Sequence, residues 1–100
     1  MAVSDEYLAS VRHSVRLSST AHDGELTDLI NAARADLALG GVLEEKANDE
    51  KDPLIKKAVT TYVKAEFGLD NEDADRLRAS YKEQRNGLTL SNSYIAVEEG

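Results

Sequence analysis

Cysteine and tryptophan are absent from this 100-residue chain, and proline occurs once. Without cysteine there is no disulfide, no zinc–thiolate site and no cysteine nucleophile. Aromatic residues are few, four Tyr and one Phe. The core therefore has to be assembled from Leu, Val, Ile and Ala, which suits helix packed on helix. No uninterrupted apolar run approaches the ~20 residues needed to span a bilayer. The opening Met-Ala-Val-Ser-Asp-Glu has no basic region leading into an apolar one, so no secretory signal is expected. Positive charge is also in short supply. Twelve Lys and Arg face 19 Asp and Glu, for a net charge of −7. That balance opposes binding held by phosphate contacts and adsorption to an anionic membrane, so neither a nucleic-acid nor a membrane partner is expected.

What is present is one domain's worth of chain, 41% hydrophobic and 31% charged, enough for a single core and a charged coat. The periodicity predicts an all-α fold, a small four-helix bundle over residues 1–87 with an extended C-terminal arm over 88–100. The first helix runs from about Ser4, a good N-cap followed by Asp5 and Glu6, to Leu17. Leu8, Val11 and Val15 share a face with Tyr7 beside it. The second is capped by Thr20 or Asp23. Its Leu26, Leu29, Ile30, Ala33 and Leu37 keep the spacing of a core-facing stripe, and Gly40-Gly41 stops it. Glu44 to Asp52 is nearly all charged or polar and reads as an exposed loop with at most one helical turn. Asp52-Pro53 opens the third helix, since proline fits the first helical position where its missing N–H costs nothing. Its wide apolar face, Leu54, Ile55, Ala58, Val59, Tyr62, Val63 and Phe67, predicts the most buried helix, ended by Gly68. Asn71 caps the fourth, whose inward stripe is Ala74, Leu77 and Tyr81 and whose stop is Asn86-Gly87.

No chemistry-bearing constellation emerges. His13 and His22 lie on different elements and form no i, i+4 metal pair. Asp70-Asn-Glu-Asp-Ala-Asp lacks the glycine and the closing glutamate of a calcium loop. Gly40-Gly41 is followed by no Lys-Ser or Lys-Thr, as a phosphate loop requires, and the serines have no nucleophile context. No catalytic residue, no cofactor and no metal ligand are expected, and the protein is not expected to be an enzyme. Arg76, Arg78, Lys82 and Arg85 form a basic run that complements the end of a helix. Past Gly87, Leu88, Leu90, Tyr94, Ile95 and Val97 are apolar without helical period, and Thr, Tyr, Ile and Val favour extended backbone. These residues either pack back on the bundle or dock on another chain. Two candidate protein interfaces follow: the tail, through Leu88, Leu90, Tyr94, Ile95 and Val97, and the acidic segment, through Glu44, Glu45, Asp49 and Glu50.

Three stretches carry a family resemblance. Asp23-Gly-Glu-Leu-Thr-Asp-Leu-Ile-Asn-Ala-Ala-Arg-Ala-Asp-Leu is an acidic entry followed by Leu-x-x-Leu-Ile-x-x-Ala. Asp52-Pro-Leu-Ile-Lys-Lys-Ala-Val-Thr-Thr-Tyr-Val-Lys-Ala-Glu-Phe-Gly is a proline, a large apolar pair and a later Val. A closing helix around Leu77 to Tyr81 carries a short tail. Over about residues 5 to 90 this order resembles the small head–tail connector (adaptor) proteins of tailed bacteriophages. It departs from them in keeping only Tyr62 and Phe67 where the family carries an aromatic-rich helix end. The resemblance implies a homo-oligomeric ring of dodecameric symmetry in the virion neck, assembled in the host bacterial cytoplasm. The partners it implies are the portal protein above and a stopper or tail-completion protein below. DNA would pass through such a ring without sequence-specific binding. The alternative from composition alone is a small acidic regulator, of antitoxin or DNA-mimic type. A helix-turn-helix DNA binder using Arg76 to Arg85 is a further one.

Overall fold

In a computed structural model, which describes residues 2–68 and 71–97, the chain forms five helices. They are α1 (Asp5–Ser14), α2 (Asp23–Leu39), α3 (Glu44–Ala47), α4 (Pro53–Glu66) and α5 (Ala74–Thr89), with no strand among the described residues. The fold is all-helical, as the periodicity implies. The four longer helices run up and down a body 50 × 28 × 18 Å. At one end lie the start of α1, the end of α2, α3, the start of α4 and the end of α5. At the other lie the end of α1, the start of α2, the end of α4 and the start of α5. α4 is central and packs against α5, α2 and α1.

Val11 of α1, Leu26, Ile30 and Leu37 of α2, and Ile55, Val59 and Val63 of α4 are fully buried and form the centre of the core. Each such side chain contributes about 2 kcal/mol when removed from water. Tyr7, which the pattern places beside the first stripe, is itself in the core at 5% exposure, as is Tyr81. The two aromatics join Val11 of α1 and Leu88 of α5 in filling the core.

Several helix ends follow the sequence directly. Ser4 caps α1, its hydroxyl accepting from the Tyr7 N–H, and Asp52 caps α4, accepting from the N–H groups of Leu54 and Ile55 with Pro53 in the first helical position. α2 ends in a Schellman motif. The Val42 N–H donates to the Leu37 carbonyl at 3.0 Å and the Gly41 N–H to that of Ala38 at 3.1 Å, with Gly41 at φ 114°. α1 ends in the same way, Leu17 to Arg12 and Arg16 to His13, but here the left-handed residue is Arg16 at φ 61°.

Other ends differ from the expectation. Neither Thr20 nor Asp23 caps α2. His22 holds the cap position without a side-chain bond, because the Asp23 carboxylate is occupied by Arg12, whose Nε and Nη2 reach it at 2.8 and 2.7 Å. Asn71 does not cap α5 directly. It accepts from the Asp73 N–H at 3.1 Å, and Asp73 takes the cap position. The charged segment after Gly41 does contain the one helical turn the sequence allows, Glu44–Ala47, pinned by buried Val42 and Ala47.

The largest difference is at Gly87. It does not stop the fourth long helix, which continues as α5 to Thr89. Leu88 has a place in the core at 5% exposure, and packing it outweighs the poor helix propensity of glycine. The extended arm is also corrected over its described part. After Leu90 the chain turns back, with the Ser91 N–H bonded to the Leu88 carbonyl and the Tyr94 N–H to that of Ser91. A Cβ added at Gly87 meets nothing within 4 Å. Gly87→Ala is therefore expected to raise unfolding stability by about 1 kcal/mol in urea titration. A residue serving as a left-handed stop would instead be destabilised by the same change.

Candidate protein-interaction surfaces

The two segments expected to meet other chains lie at the same end of the bundle and are joined to each other. The Leu43 N–H donates to the Tyr94 carbonyl at 2.7 Å, and the Tyr94 hydroxyl donates to Asp52 Oδ2 at 2.8 Å. Of the tail residues, Leu88 belongs to the core, Tyr94 and Ile95 are half-buried, and Leu90 and Val97 are exposed at 85% and 56%. Leu54, read as part of the inward face of its helix, is instead 53% exposed. With Gln84, Gly87, Leu88, Ser91 and Tyr94 it lines a shallow, mostly apolar groove of about 240 Å³. Leu39, at the end of α2, is exposed at 88%. This end thus offers several large apolar side chains to solvent. One residue of this type is ordinary, and several together mark a contact surface.

The four acidic candidates divide in two. Glu44 and Glu45 are exposed in the single turn of α3 and Asp49 is half-exposed. Glu50 faces inward. Its carboxylate accepts from the backbone N–H and the hydroxyl of Ser4 and from Arg34 Nη2 at 3.0 Å. Arg34 is 4% exposed, its guanidinium 5.1 Å from the centre of the Tyr7 ring, a cation–π contact. Helical spacing puts Arg34 on the buried face of α2, four residues after Ile30 and three before Leu37, and a long polar residue at that position was the signal. Burial pushes the Glu50 carboxyl up, but the bonds from Ser4 and Arg34 outweigh it and hold the group below its ordinary value. Asp52 behaves alike. Burial raises it, and the Tyr94 hydroxyl with the Ile55 and Leu54 N–H groups brings it down.

A second polar knot ties α2 to α5. The Tyr81 hydroxyl and Arg85 Nη1, the latter at 2.8 Å, both donate to Asp36 Oδ2, and burial with that bond pushes the Tyr81 phenol up. The basic run on the last helix is therefore largely committed within the chain. Arg85 binds Asp36, and Arg78 binds Glu66 at 2.9 Å and Asp75 at 3.4 Å. His13 and His22 stay apart. Among the described residues no three His, Asp or Glu side chains gather as a metal would require, and no helix is long and apolar enough to cross a membrane. These polar groups hold helices together.

The fold is a small helical module that leaves several large apolar side chains exposed at one end. A family model described as phage connector protein matches residues 7–95, and the chain belongs to that family. No curated protein and no solved structure matches it.

Glu50 and Asp52 give the fold a definite acid sensitivity. Their folded values lie below the ordinary 4.5 and 3.8. The stability they contribute is fully present above those ordinary values and is lost as the pH falls through the folded ones. Melting temperature followed from about pH 6 to about pH 2 should fall. Glu50→Gln should melt lower at neutral pH and change less over that range, because Arg34 then keeps a neutral partner throughout.

Proposed function

We propose that this chain is a structural head–tail connector that assembles as a ring below the portal, extends the DNA channel, and bridges the capsid to a stopper or tail-completion protein. The observation that carries the reading is the family match over residues 7–95. The apolar end of the bundle supports it, because Leu54, Leu90 and Val97 are surface that a lone chain gains nothing by exposing. The net charge of −7 supports it too, since an acidic channel wall repels the phosphates passing through and gives DNA nothing to grip. Glu44, Glu45 and Asp49 on one side and Leu90, Ile95 and Val97 on the other are the residues that meet neighbouring proteins. In this reading the ring is dodecameric in the virion neck.

The acidic-regulator alternative asks for carboxylates presented over one face. Here Asp23, Asp36, Glu50, Asp52 and Glu66 are bound by partners inside the chain, which favours a structural use of the acids.

Negative-stain microscopy of the concentrated protein, alone and with its cognate portal protein, tests the proposal. Rings with a central hole, free or seated on the portal, are the expected result. A chain that remains monomeric and ignores the portal would overturn it.

A further inference from the structure

The end of the bundle opposite the tail carries a groove of about 580 Å³ between the ends of α1 and α4 and the start of α5. Its floor is apolar, from half-buried Val15, Phe67 and Leu77, and its rim is basic, from exposed Arg16, Lys64 and Arg76. Among the described residues that line it, the acid is Asp73, which lies 3.6 Å from Arg76. No carboxylate among the described residues pairs with Arg16 or Lys64. Arg16 occupies the left-handed position directly after the C-cap of α1, at φ 61°. Glycine takes that conformation without strain, yet the position presents a guanidinium to the groove.

The chain contains a segment of matching chemistry. Ile95-Ala96-Val97 is apolar and partly exposed, and the sequence places Glu98 and Glu99 directly after it. It cannot serve its own groove. Tyr94 is bonded to Leu43 and Asp52 at the far end, and the 14 residues of α4 separate Asp52 from Phe67 by about 21 Å. Val97 lies three residues past Tyr94, about 11 Å of fully extended chain. A second copy is the occupant that fits.

We propose, building on the ring reading, that the Ile95–Glu99 segment of one subunit docks in the groove of the next. Ile95 and Val97 lie on Val15, Phe67 and Leu77, and Glu98 and Glu99 meet Arg16, Lys64 and Arg76. Donor and receiver are different surfaces at opposite ends, so the contact is head-to-tail, the kind that repeats around a ring.

The absence of cysteine makes a clean test by disulfide trapping. Val97→Cys chains are mixed with Leu77→Cys chains, and with Leu54→Cys chains as a control at the tail's own end. A mixed dimer of Val97→Cys with Leu77→Cys is expected, about tenfold above the control. Arg16→Gly in the receiver should lower that yield several-fold while its melting temperature holds or rises, a split that a merely structural role for Arg16 would not give. Glu98→Lys with Glu99→Lys in the donor should lower it likewise, and Arg16→Glu in the receiver should restore part of the loss. If Leu77→Cys impairs folding, Val15→Cys takes its place.

A yield no higher than the control overturns the groove, and rings seen by microscopy in that case leave the ring reading standing. Trapping without rings, with or without portal protein, leaves the groove contact and removes the ring. Retardation of duplex DNA that Arg16→Gly abolishes would assign the rim to phosphate and overturn the proposal.

Discussion

Arg34 places a full positive charge on the face of α2 that otherwise presents Leu26, Ile30, Ala33 and Leu37 to the core. Burying a guanidinium costs several kcal/mol unless a counter-charge and an aromatic face receive it. Glu50 supplies the first and Tyr7 the second. Glu50 comes from the segment between α3 and α4, and Tyr7 from the first turns of α1. Glu50 also takes the N–H and hydroxyl of Ser4, the residue that caps α1. One buried cation therefore fixes where α1 begins against α2 and which way the acidic segment faces. Arg34 Nε and Nη1 have no hydrogen-bond partner among the described residues. The ring of Tyr7 beneath the guanidinium is the compensation they have.

The same economy operates elsewhere. Arg12 with Asp23 joins the end of α1 to the start of α2. Asp36 with Tyr81 and Arg85 joins α2 to α5, and Arg78 with Glu66 joins α5 to α4. Surface pairs of this type add little energy individually. Several here are bidentate or shared between two donors, so their larger effect is to set the register of one helix on another. A core made chiefly of Val, Leu, Ile and Ala leaves register weakly specified, and the polar ties make up for that.

Local signals were legible wherever the chemistry was local. Ser4, Asp52-Pro53 and Gly41 each satisfy orphan backbone groups within a few residues of themselves, so their roles follow from sequence alone. Gly87 was misleading because its context is tertiary. Whether a helix continues through a glycine depends on what awaits the next residue, and Leu88 had a core site waiting. Asp23 and Asn71 look like caps but are claimed by Arg12 and by the Asp73 N–H. The acidic candidates divided for the same reason. Glu44, Glu45 and Glu50 are chemically alike, and only the position of Arg34, sixteen residues before Glu50 in the chain, decides which turns inward. Leu54 and Leu39 show the limit of periodicity. A wide apolar stripe tells which face is apolar, but not where the neighbouring helices end and leave part of it bare.

A bundle of this size has little stability to spare, so the distribution of apolar surface between core and exterior is informative. Tyr7 and Tyr81, with polar tips, are drawn inside and given partners, while Leu39, Leu54, Leu90 and Val97 remain outside. Selection for the isolated fold alone would favour the reverse, since each exposed leucine could be polar at no cost to the core. Three of these four belong to the segment ends that meet around Tyr94, where the tail, the acidic turn and the start of α4 are held by two hydrogen bonds. That joint does not bury the apolar side chains around it. It ties the backbone that carries them and leaves them exposed at one end of the bundle, so that any contact made there would find part of its ordering cost already met.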